Sequence, residues 1–338
     1  MRRGSVVQLV LFALVAGGAA STLALVPGWL PTPAGREAGR IDFVFWFVTV
    51  ICIAIFAVVA AVIVYSMWKF RAAPDDDSDG PPIHGHTGLE ITWTAIPTAL
   101  VVAIAVVSAI VLAKNSNAGR NPIRIDVTAQ QFAWSFSYPG HQNLTSGDLR
   151  LPVGRKVELR LKSLDVIHSF WVPEFGQKQD AVPGLTTKLV ITPDRVGTYP
   201  VICTELCGLG HAVMRTSAIV MKPAAFDAWV NKQGKALAGP AGQAGKSVFV
   251  NNGCNSCHTL KAAGATAKIG PDLDKLAQQA KGAGKPLEAF VRESIVDPNA
   301  YVAPGYPKNV MPSTFSQLPK SQLDALVQYL VSSSKASR

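Results

Sequence analysis

Two uncharged apolar runs, Phe43–Trp68 and Ile91–Ala113, constrain this chain more than any other feature. As a helix the first would be about 39 Å long, more than a hydrocarbon core of about 30 Å requires. Trp46 near one end, and Tyr65 and Trp68 at the other, fall where aromatic belts meet the membrane surface. Lys69 and Arg71 follow at once and mark that end as cytoplasmic. A short polar loop with Asp75, Asp76, Asp77, Pro81 and Pro82 leads to the second run, which Lys114 closes. The pattern predicts a transmembrane helical hairpin over 41–114, with both of its ends outside the cytoplasm. Pro97 in the second run reads as a tolerated membrane kink.

Ahead of the hairpin, Arg2-Arg3, an apolar core from Val6 to Ala16 and the small residues Gly17–Ser21 have the order of a secretory signal. Cleavage after Ala20 is the expectation, giving a signal peptide over 1–20. Apolar residues resume at Leu23–Leu25, so an uncleaved anchor is the competing reading.

The 338-residue length leaves room for two further domains. Beyond Asn121-Pro122, segments such as Ile123–Val127, Val157–Leu161 and Thr187–Ile191 alternate like half-buried strands, with Pro139-Gly140 and Pro183-Gly184 as turns. They predict a small all-β sandwich over 121–223. A helix-like stretch, Ala224–Gln233, follows, and the Gly/Ala/Lys composition of 234–245 predicts a flexible linker. The last part, 246–335, reads as a small all-α domain ending in a helix with Leu323, Leu326, Val327 and Leu330 on one stripe. A net charge of +10 is spread over the soluble part without a basic stripe interleaved with aromatics. That excludes a nucleic-acid surface and suits an anionic surface or another redox protein.

Cys52 lies in an apolar run, where a thiol acts as a small hydrophobe. The other four cysteines form two close pairs. Cys203, Cys207, His211 and Met214 fall within twelve residues. Soft sulfur with imidazole selects copper, and a thioether is typical of electron-transfer copper. A single blue-copper ion needs one cysteine, whereas two cysteines four apart can bridge two coppers, each then wanting an imidazole. Among the six histidines, His84 and His86 lie in the cytoplasmic loop, His141 in a Pro/Gly turn, and His258 beside the other cysteine pair. His168, at the end of a strand, remains as the second imidazole. A Cys203–Cys207 disulfide or a zinc site is the plainer alternative.

The motif Cys-x-Glu-x-Cys-x-x-x-His-x-x-Met, with Asp165-Val166-Ile167-His168-Ser169 upstream, resembles cytochrome c oxidase subunit II, over roughly Ile41 to Pro223. The resemblance implies a cupredoxin domain with the dinuclear CuA centre. Cys203 and Cys207 would bridge the coppers, His168 and His211 would cap one each, and Met214 and the Glu205 carbonyl would be weak ligands. The Glu205 carboxylate would reach a Mg²⁺ shared with subunit I. Nitrous oxide reductase carries a similar motif beside a large propeller that this chain lacks.

Cys254-Asn255-Ser256-Cys257-His258 is a covalent haem attachment motif: two thiols add to the haem vinyl groups and His258 ligates iron. A His/Met cytochrome needs a later methionine, and Met311 is the only one after His258. The module resembles class I cytochrome c, in which the proline of the Gly270-Pro271 segment lies against the proximal imidazole. Haem c is attached outside the cytoplasm, where the hairpin also puts this end of the chain.

Together the resemblances imply a multidomain membrane protein: hairpin, all-β cupredoxin sandwich and cytochrome c domain. Its function would be that of the subunit through which electrons enter a haem–copper terminal oxidase. They would pass from a donor by haem c and CuA to subunit I, where O₂ is reduced to water with proton translocation. The chain itself holds no oxygen-reducing site. Implied partners are subunit I, the other oxidase subunits, and a soluble or membrane cytochrome c or a quinol–cytochrome c reductase as donor. The implied location is the bacterial plasma membrane, with the soluble domains on its outer side. The equivalent subunit of a CuA-type nitric oxide reductase, or a tethered carrier or copper-binding protein without catalytic partner, is the alternative. Two finer expectations come from the same family. Glu90, three residues before Trp93, would lie at the entrance of a proton path. Gln131-Phe132-Ala133-Trp134 has Phe132 where the family carries an electron-accepting tryptophan, making Phe132 and Trp134 electron-transfer candidates.

Overall fold

The computed structural model describes residues 3–71, 80, 82, 84–141, 144–237 and 241–336. Asp75, Asp76, Asp77 and Pro81 of the hairpin loop, and 238–240 of the expected linker, lie outside the described residues. The chain divides into two compact units. One comprises 1–32 and 39–115, the other 33–38 and 116–338.

The first unit is built from α1 (Arg3–Leu25), α2 (Arg36–Lys69) and α3 (Thr87–Ser116). All three are long and apolar enough to cross a membrane. Helix α1 runs without a break through Ala20, the expected cleavage point, to Leu25. Helix α3 continues through Pro97. Its start is capped reciprocally: the Glu90 carboxylate accepts from the His86 N–H at 3.1 Å, and His86 Nδ1 accepts from the Leu89 N–H at 3.2 Å. These contacts satisfy donors that a helix start leaves open.

The second unit opens with a sandwich of two five-stranded sheets. The strands are β1 (Ile123–Gln130), β2 (Ala133–Tyr138), β3 (Leu144–Ser146), β4 (Leu149–Pro152), β5 (Val157–Ser163), β6 (His168–Trp171), β7 (Lys178–Ala181), β8 (Thr187–Ile191), β9 (Gly197–Cys203) and β10 (Arg215–Met221). The sheet orders are β3-β2-β1-β5-β8 and β4-β10-β9-β6-β7. Alternation drives the packing: Trp134, Phe136 and Tyr138 of β2 are buried while Ala133, Ser135 and Ser137 face outward. The Tyr138 hydroxyl donates to the Arg150 carbonyl and accepts from the Arg150 N–H, stitching β2 to β4.

Five further helices complete the unit: α4 (Pro223–Leu237), α5 (Ala241–Asn251), α6 (Leu276–Gly282), α7 (Leu287–Val296) and α8 (Lys320–Ala336). A flexible linker over 234–245 is what the composition predicts, but α4 continues to Leu237 and α5 begins at Ala241. The physical reason is that Ala, Lys and Gln favour helix, and tertiary packing supplies the rest. Phe226 and Trp229 of α4 pack on Tyr138, tilted and edge-on, with centroids 6.1 and 5.2 Å away, and the Arg150 guanidinium sits 5.2 Å over the Trp229 ring. Helix α5 buries Val248 and Phe249 in a second core with Phe290, Leu326, Val327 and Leu330.

Candidate copper and haem sites

Strand β6 starts at His168 and β9 ends at Cys203, and Phe170 pairs with Cys203 across the ladder. His168 and Phe170 share a face because side chains alternate along a strand, so the imidazole arrives beside the thiol where these two strands end. The loop from Cys203 folds back to bring Cys207, a short helical turn at His211 and then Met214 under the same strand ends before β10 begins.

Both thiols are free, and their sulfurs stand 3.9 Å apart. His168 Nδ1 lies 3.9 Å from Cys203 Sγ, and His211 Nδ1 lies 3.5 Å from Cys207 Sγ. Met214 Sδ is 3.8 Å from Cys207 Sγ, and the Glu205 carbonyl oxygen is 3.3 Å from Cys203 Sγ. The ligand atoms of His168, Cys203 and Cys207 all lie within 4.8 Å of one another, close enough to share a metal ion. Glu205 is divided: its carbonyl turns to the thiols while the residue is exposed.

Burial acts to raise the Cys203 thiol, but hydrogen bonds from His168 and from backbone outweigh it and bring it down to about 7. Burial and the neighbouring Cys203 charge push Cys207 up to about 12. Burial acts to lower His168, and its contacts with Asp165 and Cys203 outweigh that and raise it to about 8. Charge on one thiol opposes ionisation of the other. Two thiolates, two imidazoles, a thioether and a carbonyl fit a copper pair. The fully buried Met214 argues against zinc, which prefers nitrogen and thiolate.

Asp165 and Gln131 support this site, and neither receives a role from motif reasoning. Asp165 Oδ1 sits 2.8 Å from His168 Nε2, and its carboxylate accepts from the Gln131 N–H at 2.6 Å and the Val166 N–H at 2.7 Å. The Gln131 side chain donates to the Cys207 carbonyl at 2.6 Å. The only sequence signals are that Asp165 belongs to the His168 motif and that Gln131 lies three before Trp134. The Trp134 ring is buried 6.1 Å from His168 and 5.5 Å from Phe170. Phe132 is buried with its ring against the backbone of Gly208 and Gly210 in the copper loop.

In the helical domain, Cys254–Ser256 form a short helical turn after α5, and the His258 N–H donates to the Cys254 carbonyl at 3.0 Å. His258 Nδ1 lies 2.8 Å from the Pro271 carbonyl oxygen, an arrangement that fixes the ring and suits Nε2 to ligate a metal. A Cβ on Gly270 would fall 2.6 Å from the imidazole, so this close approach requires glycine. Burial lowers the His258 pKa, favouring the neutral imidazole that a metal needs, and pushes Cys254 up to about 12. These side chains open on an apolar cleft with Phe249, Leu276, Phe290 and Phe315; Met311, on the loop before α8, lines it too. About 1300 Å³ there, mouth included, is free of protein atoms. The apolar lining and the thiol, imidazole and thioether groups fit a covalent haem. Gln130, Gln131, Phe132 and Ala133 of the sandwich line the same cleft.

Comparison with known proteins agrees with this division. Residues 30–111 match the transmembrane domain of cytochrome c oxidase subunit II, 143–222 its periplasmic domain, and 242–334 cytochrome c. The chain is 34% identical over 250 residues to cytochrome c oxidase subunit 2 of Synechocystis sp., covering 60% of this chain and 75% of that one. With the protein of the same name from Alkalihalophilus pseudofirmus it is 33% identical over 298 residues, covering 84% and 82%. With that of Bacillus subtilis it is 29% identical over 322 residues, covering 88% and 89%. The nitric oxide reductase alternative is not favoured by these relatives. The cupredoxin region accordingly points to CuA and the helical domain to haem c, on the extracytoplasmic side of a membrane, in a complex with subunit I. The chain therefore belongs to the cytochrome c oxidase subunit 2 family, in a form that carries a cytochrome c domain at its C-terminal side.

Proposed function

We propose that this electron-input subunit of a haem–copper oxidase receives electrons at its cytochrome domain, passes them to its cupredoxin domain, and from there to subunit I. Cys254, Cys257, His258 and Met311 would hold haem c. Cys203, Cys207, His168, His211, Met214 and the Glu205 carbonyl would hold the copper pair. When bound, the haem supplies a one-electron iron couple and the copper pair a one-electron couple shared by two ions. The protein's own residues fix and shield these centres. Asp165 orients His168, Pro271 orients His258, and the buried Phe132 and Trp134 exclude water between the haem cleft and the copper ligands.

The observation that carries this reading is the shared wall. The cleft holding His258 and Met311 is also lined by Phe132, whose ring lies on the copper loop at Gly208 and Gly210. The exposed Glu205 carboxylate is assigned to a Mg²⁺ shared with subunit I. Glu90, at the start of α3, is assigned to the entrance of a proton path. The donor is a soluble or membrane cytochrome c or a quinol–cytochrome c reductase. The membrane is the bacterial plasma membrane, reached by a signal cleaved after Ala20.

Metal analysis and electron paramagnetic resonance of the purified oxidase test the ligand assignment. One covalent haem on this chain, and a copper signal split by two equivalent copper nuclei, is the expected result. Splitting by a single copper nucleus would contradict the dinuclear site.

A further inference from the structure

Two glycines and an alanine lie where the β-sandwich meets the cytochrome domain; Ala133 and Gly253 also line the haem cleft, whereas Gly147 does not. Gly253 directly precedes Cys254; its left-handed backbone (φ 72°) by itself favours glycine, and a Cβ on it would in addition stand 2.8 Å from the Ala133 Cβ. At a second point, in the β3–β4 turn, a Cβ on Gly147 would stand 2.9 Å from the carbonyl oxygen of Val250 in α5. Carbon atoms in contact rest about 3.5–4.0 Å apart, so an added methyl at Gly253 forces a separation of about 1 Å. The pleat of β2 explains why Ala133 is there. Trp134 points into the core and packs on His168, so Ala133 points outward, at the cytochrome domain.

The connection between the domains is short. Helix α4 is seated on the sandwich through Phe226 and Trp229, and it touches both β3 and α5. Helix α4 is described to Leu237 and α5 from Ala241, so only three residues of sequence lie between, a length that spans at most about 10 Å. A domain tethered for a diffusive search needs a long, compliant connection and no close fit. This interface has the opposite properties.

We infer that Ala133, Gly147 and Gly253 are positioning residues, small by requirement, that hold the cytochrome domain in one fixed seat on the cupredoxin domain. They thereby set the haem-to-copper separation. The electron-transfer consequence rests on the ligand assignment proposed above, whereas the seat itself does not.

The test uses the full chain in the assembled oxidase, comparing Ala133→Leu and Gly147→Ala with Lys162→Leu, an exposed strand position. Two quantities are read: hydrogen exchange of the backbone at 144–148, and the rate of internal electron transfer after rapid reduction of the haem. The copper and haem bands are recorded alongside. Ala133→Leu and Gly147→Ala are expected to speed exchange and slow internal transfer several-fold, and in Gly147→Ala, which does not line the haem cleft, both sets of bands are expected to stay unchanged. Lys162→Leu is expected to change neither. Unaltered exchange and transfer in Ala133→Leu and Gly147→Ala would overturn the fixed seat, and so would fast exchange at 144–148 in the unsubstituted chain. If the unsubstituted chain lacks the dicopper signal while exchange responds as expected, the ligand assignment fails and the seat is supported.

Discussion

Asp165 Oδ1 lies 2.8 Å from His168 Nε2, while His168 Nδ1 faces Cys203 Sγ at 3.9 Å. The carboxylate thus holds the proton-bearing nitrogen and leaves Nδ1 for a metal, the arrangement by which a supporting acid fixes a ligand's tautomer and strengthens it. Asp165 is itself held by the Gln131 and Val166 N–H groups. Its pKa is lowered: burial acts upward, but these bonds and the contact with His168 outweigh it.

Asp165→Ala should therefore weaken copper binding by about 10–100-fold while the fold persists. A chelator competition titration measures it. An unchanged affinity would show that the carboxylate does nothing for the site.

Met311→Ala should leave the haem covalently attached, because Cys254 and Cys257 remain, but lower its potential, since a thioether ligand raises it. A redox titration of the haem band checks this. An unchanged midpoint would remove Met311 from the iron.

At Glu90, glutamine keeps an acceptor for the His86 N–H and so preserves the start of α3. It removes the carboxylate. Glu90→Gln should slow oxidase turnover with both metal centres spectroscopically normal, whereas wild-type turnover across pH would leave Glu90 a helix cap only.

Several parts of this site were legible because short motifs carry them. Cys203, Cys207, His211 and Met214 lie within one loop, and His168 emerges once the other five histidines are placed. The Pro271 contact with His258 lies thirteen residues away, in a segment that motif comparison already marks. Other parts depend on tertiary packing that no local pattern encodes. The Gln131 N–H reaches Asp165 across 34 residues, and its side chain reaches Cys207 across 76. The stretch 234–245 is rich in Gly and Ala, which suits a loop, yet its Ala and Lys residues also suit helix. Among the described residues, 234–237 close α4, which packs on Tyr138 through Phe226 and Trp229, and 241–245 open α5. Gly147 and Gly253 read as ordinary turn residues until the surface opposite them is known.

The measurement that bears most directly on the route of the electrons is donor oxidation by an oxidase whose subunit ends at Leu237. Such a chain keeps α4 on the sandwich through Phe226 and Trp229 and retains every proposed copper ligand. The dicopper signal is expected to persist while oxidation of the external donor is mostly lost, because electrons enter at the cytochrome domain. Oxidation of soluble cytochrome c at the full rate by this truncated enzyme would contradict it.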